Sequence, residues 1–146
     1  MHRKACATAS GYHIAVVSPG VLMNLAFSVL LVFAVFLAVP ILVYGAFSAA
    51  LGIEVPGGNP VTFLSGVAVS KLGTAIAFVG LWLMVRYDQV DRIWTYVFFW
   101  WLMYVLGEIG QAIGPDYSWA EALAGIISES IYLPLAGLIV ARLLRD

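Results

Sequence analysis

Four long apolar segments, separated by three short polar ones, make up most of the chain. Each contains the roughly 20 apolar residues that a helix needs to cross a hydrocarbon core about 30 Å thick. None alternates apolar and polar positions as the strands of a membrane barrel do. The pattern therefore predicts an all-α integral membrane protein, a four-helix transmembrane bundle. We expect residues 1–146 to form a single transmembrane domain with spans at about 19–39, 61–85, 93–113 and 119–141.

The first apolar segment continues to residue 51 and is too long for one simple crossing. Ser18 and Pro19 favour a helix start, and Pro40 favours a kink or an end. Residues 40–51 then either continue the helix as a tilted extension or lie at the membrane interface, and the sequence leaves both alternatives open. The basic start of the chain is typical of a signal peptide. The apolar run behind it exceeds a signal core of about 7–15 residues, so we expect a retained first span.

Positive charge predicts the orientation of the bundle, because cytoplasmic loops are enriched in Lys and Arg. The loops at 52–60 and 114–118 contain neither residue type, which places them outside. Both termini are therefore predicted to be cytoplasmic. The residues that define the cytoplasmic side are Arg3, Lys4, Arg86, Arg92, Arg142 and Arg145.

Composition supports the membrane prediction and removes several classes of function. Of the 146 residues 63% are apolar and 10% are charged, whereas a soluble domain carries roughly 25% charged residues to solvate its surface. We therefore expect a multi-pass protein of the cell membrane whose partners are the lipid bilayer and either further copies of itself or other membrane subunits. The net charge of −1 and the lack of a basic stripe argue against nucleic acid.

The residue types that hold metals and cofactors are nearly missing from the spans. The only histidines, His2 and His13, precede the first span, so a bis-histidine heme site inside the bundle is disfavoured. Cys6 is the single cysteine and cannot form an intrachain disulfide or a C-x-x-C site. We predict no cofactor and no metal. The chain also contains no H-E-x-x-H and no nucleophile elbow, which argues against an enzyme acting on lipid or quinone.

Small residues recur at four-residue spacing on the second and fourth predicted helices. Gly66, Ser70 and Thr74 follow this spacing on the second helix, and Gly137 with Ala141 follows it on the fourth. Such stripes let helix backbones approach each other closely. They predict packing against other helices of the bundle or against partners.

The segment 94–104 is crowded with aromatic side chains, including Trp100 and Trp101. It could form a stacking surface for a quinone, a pigment or a lipid tail. Packing bulk between helices and toward lipid is the favoured interpretation. Other aromatic residues near the helix ends fit an interfacial belt.

Ionisable residues within the spans carry the strongest functional signal. By helix rise, Lys71 and Glu129 lie about 15 and 16 Å below the outer ends of their helices, and Glu108 lies about 9 Å below its own. Glu121 lies close to the outer surface. A charge at the bilayer centre costs about 2.5–3.5 kcal/mol on insertion scales. We therefore expect Lys71 and Glu129 to face each other inside the bundle, with Glu108 above them.

One ammonium cannot neutralise two carboxylates, so one glutamate is expected to be neutral or to bind a cation. Polar neighbours should complete the site, since residues three or four apart share a helix face. The predicted site consists of Lys71, Glu108, Gln111, Ser128, Glu129, Ser130 and Tyr132.

Two functions remain open from the sequence. The first is a proton- or cation-coupled transporter or channel subunit that uses the buried carboxylates. The second is an accessory or anchoring subunit of a larger respiratory or transport complex, in which the charges serve helix packing and partner docking.

Overall fold

A computed structural model describes residues 19–52, 60–85 and 92–144 of the chain. These residues form four helices and no strand: α1 (Pro19–Leu51), α2 (Pro60–Val85), α3 (Ile93–Ala112) and α4 (Trp119–Leu143). All four are long and apolar enough to cross a membrane. The prediction of an all-helical chain with four membrane-length helices is confirmed for this part of the chain.

Helix α1 passes through Pro40 and ends only at Leu51. Residues 40–51 therefore continue the first helix, although Pro40 cannot donate the usual backbone hydrogen bond to the preceding turn. The helix ends where Gly52 takes a φ of +67° and its N–H donates to the Ser48 carbonyl at 2.9 Å. Glycine adopts this left-handed conformation without the steric cost that a side chain adds.

Helix α4 begins at a capping box formed by Ser118 and Glu121. The Glu121 N–H donates to Ser118 Oγ at 3.2 Å, and the Ser118 N–H donates to Glu121 Oε2 at 2.7 Å. Two backbone donors that the first turn would leave unpaired are thereby satisfied. The carboxylate at the outer end of α4 is thus a helix cap.

We expect Ser118→Ala to lower the free energy of unfolding by about 1 kcal/mol, because the first turn of α4 loses its side-chain acceptor. Reversible unfolding in mixed micelles would measure the change. Ser65→Ala is the matched control, since Ser65 Oγ is exposed and donates only within its own helix, to the Thr62 carbonyl. Equal stability of the two variants would contradict the capping assignment.

Helix α4 packs against both α1 and α3, and α2 packs against α1. Helices α3 and α4 approach each other closely at Gly137, where a Cβ atom would lie 2.5 Å from Val97 Cγ2. On α4, the small residue of the predicted stripe therefore allows close helix packing. Helices α2 and α3 meet largely through side chains: the Tyr96 hydroxyl donates to the Phe78 carbonyl.

Aromatic rings fill the middle of the bundle and the half that contains the end of α2 and the start of α3. Phe36 of α1 contacts Tyr132 of α4 and Phe78 of α2, at centroid distances of 4.7 and 5.8 Å. Phe78 also contacts Tyr96 and Trp100 of α3, at 5.0 and 5.5 Å. These five rings are called the aromatic core. They confirm a packing role for part of the aromatic segment.

The two ends of the bundle are named after the predicted orientation. The outer end carries the connection 113–118 between α3 and α4, and the cytoplasmic end carries Arg92 and Arg142, which are both exposed. The remaining predicted orientation signals lie outside the described residues, in 1–18, 53–59, 86–91 and 145–146. His2, Cys6 and His13 also lie there.

Of the small-residue stripe predicted on α2, Thr74 accepts a hydrogen bond from Tyr104 of α3, whereas the rest of the stripe is exposed in the described part of the chain. Gly66, Ser70, Gly73 and Ala77 are all exposed, and a Cβ atom on either glycine would meet nothing within 4 Å. This surface is called the α2 small-residue face. It is shaped to accept another helix or lipid.

Candidate functional site

Glu129 is the most buried charged residue that the structure describes. Its side chain is 3% exposed, and its Oε2 atom has no hydrogen-bond partner among the described residues. The neighbouring Tyr132, one turn along α4, is 1% exposed and its hydroxyl also has no partner there. Buried polar atoms are nearly always hydrogen-bonded, so two adjacent exceptions mark this position as unusual.

Lys71 reaches the same region from α2. Its Nζ atom lies 5.1 Å from the ring centroid of Tyr132 and 5.8 Å from that of Tyr104, which are cation–π distances. Both Glu129 and Glu108 lie close enough to act electrostatically on it. The structure thus places the lysine in one cluster with the two predicted carboxylates, but its defined contacts are ring faces. The predicted direct Lys71–Glu129 ion pair is not formed.

Glu108 of α3 is held against α4 at a position without a side chain. A Cβ atom on Gly125 would lie 2.6 Å from both carboxylate oxygens of Glu108, so a side chain at this position would force the carboxylate to shift. Gly125 is one turn outward from Glu129, and the two carboxylates interact electrostatically. Close packing on Gly125 therefore fixes the depth of Glu108 above Glu129.

Two tyrosines extend the site toward the outer end. The Tyr117 hydroxyl donates to Glu108 Oε2 at 2.6 Å. The Tyr44 hydroxyl of α1 lies 2.8 Å from the Tyr117 hydroxyl and 3.2 Å from the Glu121 carbonyl, to which it can donate. The pKa of Tyr117 is raised above its usual range, mainly because the phenol is buried and secondly because it donates a hydrogen bond to Glu108. Tyr117 therefore keeps its proton and remains a donor.

Three predicted site residues form no hydrogen bond to Glu108 or Glu129 in the described structure. Gln111 is exposed on α3. Ser128 is buried, but its hydroxyl donates to the Ala124 carbonyl of its own helix at 2.8 Å. Ser130 is exposed and joins α4 to α3, since it accepts a hydrogen bond from Trp101 Nε1 at 2.9 Å. Ser128 and Ser130 therefore serve helix geometry and packing here.

The sequence interpretation missed Tyr44, Tyr104 and Tyr117 as members of the cluster. Tyr117 lies near a helix end, where aromatic residues fit an interfacial belt, and Tyr44 lies in the segment 40–51, for which the sequence leaves two alternatives open. The capping pattern S-W-A-E at 118–121 was a usable signal. It fixes where α4 begins, and hence that Tyr117 directly precedes the helix cap.

The cluster can hold a proton or a cation by its oxygen atoms. It combines two carboxylates with the phenol oxygens of Tyr117 and Tyr132, and a single ammonium lies beside them. Across the described ranges, no three His, Cys, Asp or Glu side chains come together as a metal-holding group. The chemistry of the cluster is therefore that of acids and phenols in a low-dielectric setting.

A concave surface lies between α2 and α3 near the cytoplasmic end. This open groove of about 460 Å³ is lined mainly by apolar and aromatic side chains, with Arg92 at its edge: Leu81, Val85, Thr95, Tyr96, Phe99, Trp100 and Met103. The described residues that line it include no acid and no member of the carboxylate cluster, so the groove is separate from that cluster.

Comparisons of the chain with known protein families, with curated proteins and with solved structures found no match.

Proposed function

We propose that the protein is a proton- or cation-coupled transporter or channel subunit of the cell membrane that binds its ion at the Glu108–Glu129 cluster. The observation that supports this most directly is the Glu129 carboxylate, which is 3% exposed and has one oxygen without a hydrogen-bond partner among the residues that the structure describes. Burying an incompletely bonded acid costs free energy, and a bound proton or cation reduces that cost. Intramembrane ionisable groups most often mark such pathways.

The distribution of polar groups along the bundle supports access from one side. Between the outer end and Glu129 lie the hydroxyls of Tyr44 and Tyr117 and the carboxylate of Glu108. Beyond Glu129 the aromatic core and buried apolar residues of α4, such as Leu133 and Ala136, close the bundle toward the cytoplasmic end. The site is therefore proposed to exchange its ion with the outer side in this conformation.

Passage to the other side requires movement, and Pro134 gives α4 a place to bend. It lies inside the helix, just over one turn beyond Glu129, and cannot donate a backbone hydrogen bond to the Ser130 carbonyl. Helices bend most sharply at such positions. Bending there would change the contact between Tyr132 and Phe36 within the aromatic core.

The α2 small-residue face supports action as an oligomer. A bundle of only four helices encloses little space, and this face offers a surface on which a helix from a second copy could pack closely. The same face favours the second candidate function, an accessory subunit that docks a different membrane protein. Under that alternative the buried charges contribute packing alone.

Reconstitution of the purified protein into liposomes tests the proposal. Flux of protons or cations through the protein alone, sensitive to substitution of Glu129, is the expected result. The proposal would be wrong if the reconstituted protein gave no flux and another membrane polypeptide copurified with it stoichiometrically. That result would favour the accessory-subunit alternative.

A further inference from the structure

A continuous chain of hydroxyl groups links the outer end of the bundle to Glu108. The Tyr44 and Tyr117 oxygens are 2.8 Å apart, and Tyr117 lies 2.6 Å from Glu108 Oε2. The Glu121 carbonyl, 3.2 Å from the Tyr44 hydroxyl, is available at the far end of the chain. All three distances lie in or near the range of hydrogen bonds between oxygen atoms or to carbonyl groups.

The hydrogen bonds among these groups can form in two complete arrangements, which differ in the direction of donation. When Glu108 is ionised, it accepts the Tyr117 proton, and the Tyr117 oxygen can accept from Tyr44. When Glu108 is neutral, its own O–H can donate to Tyr117, Tyr117 to Tyr44, and Tyr44 to the Glu121 carbonyl. Every phenol has one proton and can also accept, so both directions satisfy the groups involved.

Charged and titratable groups face Glu108 from each helix packed around it. Tyr44 comes from α1, Lys71 from α2, Tyr117 from the connection after α3, and Glu129 from α4. The Lys71 ammonium repels a second cation, whereas a proton becomes part of the carboxyl group and leaves no separate ion to coordinate. A proton can move between the hydrogen-bonded phenols while their oxygen atoms stay in place. A metal ion, which is larger, could pass only if the two phenols moved apart.

Resting on the function proposed above, we infer that the ion taken up at this site is a proton, and that Tyr44 and Tyr117 conduct it between the outer surface and Glu108. In each transfer, a hydronium ion on the outer side gives a proton to the Tyr44 oxygen and becomes water, and Tyr44 gives its own proton to Tyr117. Tyr117 in turn gives its proton to the Glu108 carboxylate. One proton leaves the water, one carboxylate is neutralised, and both tyrosines end neutral with their hydroxyls reversed.

An external acid pulse, followed by time-resolved infrared absorption of the protein in liposomes, tests the relay without requiring net transport. The carboxylic C=O band of Glu108 is identified by its loss in Glu108→Gln. We expect Tyr117→Phe to slow the appearance of this band by about tenfold or more, because the ring remains while the conducting hydroxyl is removed. Tyr44→Phe should slow it similarly.

Tyr96→Phe is the matched control. It also removes a partly buried phenol that donates a hydrogen bond, but its hydroxyl contacts the Phe78 carbonyl in the aromatic core. Its rate of Glu108 protonation should equal that of the wild type. Unchanged rates in both Tyr117→Phe and Tyr44→Phe would overturn the relay.

Flux measurements separate this inference from the proposed function. Wild-type flux of sodium or potassium that is independent of a proton gradient would overturn proton specificity and leave the transport proposal standing. No flux of any ion, with protonation of Glu108 still dependent on Tyr117, would overturn the transport proposal and support the relay.

Discussion

Glu129→Gln is expected to reduce proton or cation flux by about 100-fold or more, the scale on which a positioned proton-transfer group contributes. The substitution preserves the shape of the side chain and removes the charge and the exchangeable acid. Because glutamine has nearly the same size as glutamate, the fold should tolerate an amide at this position, which is 3% exposed. Flux into liposomes at matched protein density is the measurement.

Glu121→Gln is the control for this result, since it removes a carboxylate from the same helix at the outer end. Glutamine can also fill the third position of a capping box, so the start of α4 should remain intact. Wild-type flux in Glu121→Gln with loss in Glu129→Gln is expected. If Glu129→Gln keeps the wild-type flux, the Glu129 carboxylate takes no part in transport.

Gly125→Ala is expected to have the second-largest effect. The new methyl group would lie 2.6 Å from both carboxylate oxygens of Glu108, so that side chain must move and weaken its bond from Tyr117. We expect a loss of about 1–3 kcal/mol in unfolding free energy, as for other overpacked sites, together with a large loss of flux. Unfolding in mixed micelles and liposome flux measure the two effects.

Two further variants distinguish the local collision from a general effect of removing glycine. Gly110→Ala on α3 adds a methyl group that meets nothing within 4 Å and should be neutral or slightly stabilising. Glu108→Ala combined with Gly125→Ala removes the group with which the methyl collides and should recover stability but not flux. Equal behaviour of Gly125→Ala and Gly110→Ala would contradict the close packing of Glu108 on α4.

The helices were predictable because hydrocarbon thickness, proline and glycine leave strong local signals. The structure begins α2 one residue before the predicted span, at Pro60, and ends α4 two residues after it, at Leu143. The continuation past Pro40 was undecided, since proline both weakens a helix and is tolerated in one whose neighbours support it. Packing of α1 against α4 supplies that support here.

The candidate site was only partly predictable, because depth follows from sequence while helix rotation does not. Helix rise gives Lys71, Glu108 and Glu129 similar depths, and in the structure the three groups interact electrostatically. The side-chain partners depended on how the helices are turned, and so Gln111 is exposed while Tyr117 occupies the place beside Glu108. The aromatic environment of Lys71 required the positions of Tyr104 and Tyr132 on two further helices.

A double-mutant cycle between Lys71 and Glu129 is the most direct test of the central claim, that groups from α2 and α4 share one buried electrostatic site. Unfolding free energies would be measured for Lys71→Met, Glu129→Gln and the double variant, with Lys71→Met and Glu121→Gln as the reference pair. We predict that the double variant is more stable than the sum of the single effects by about 0.5–3 kcal/mol, while the reference pair is additive. Additive effects in both pairs would contradict the shared site.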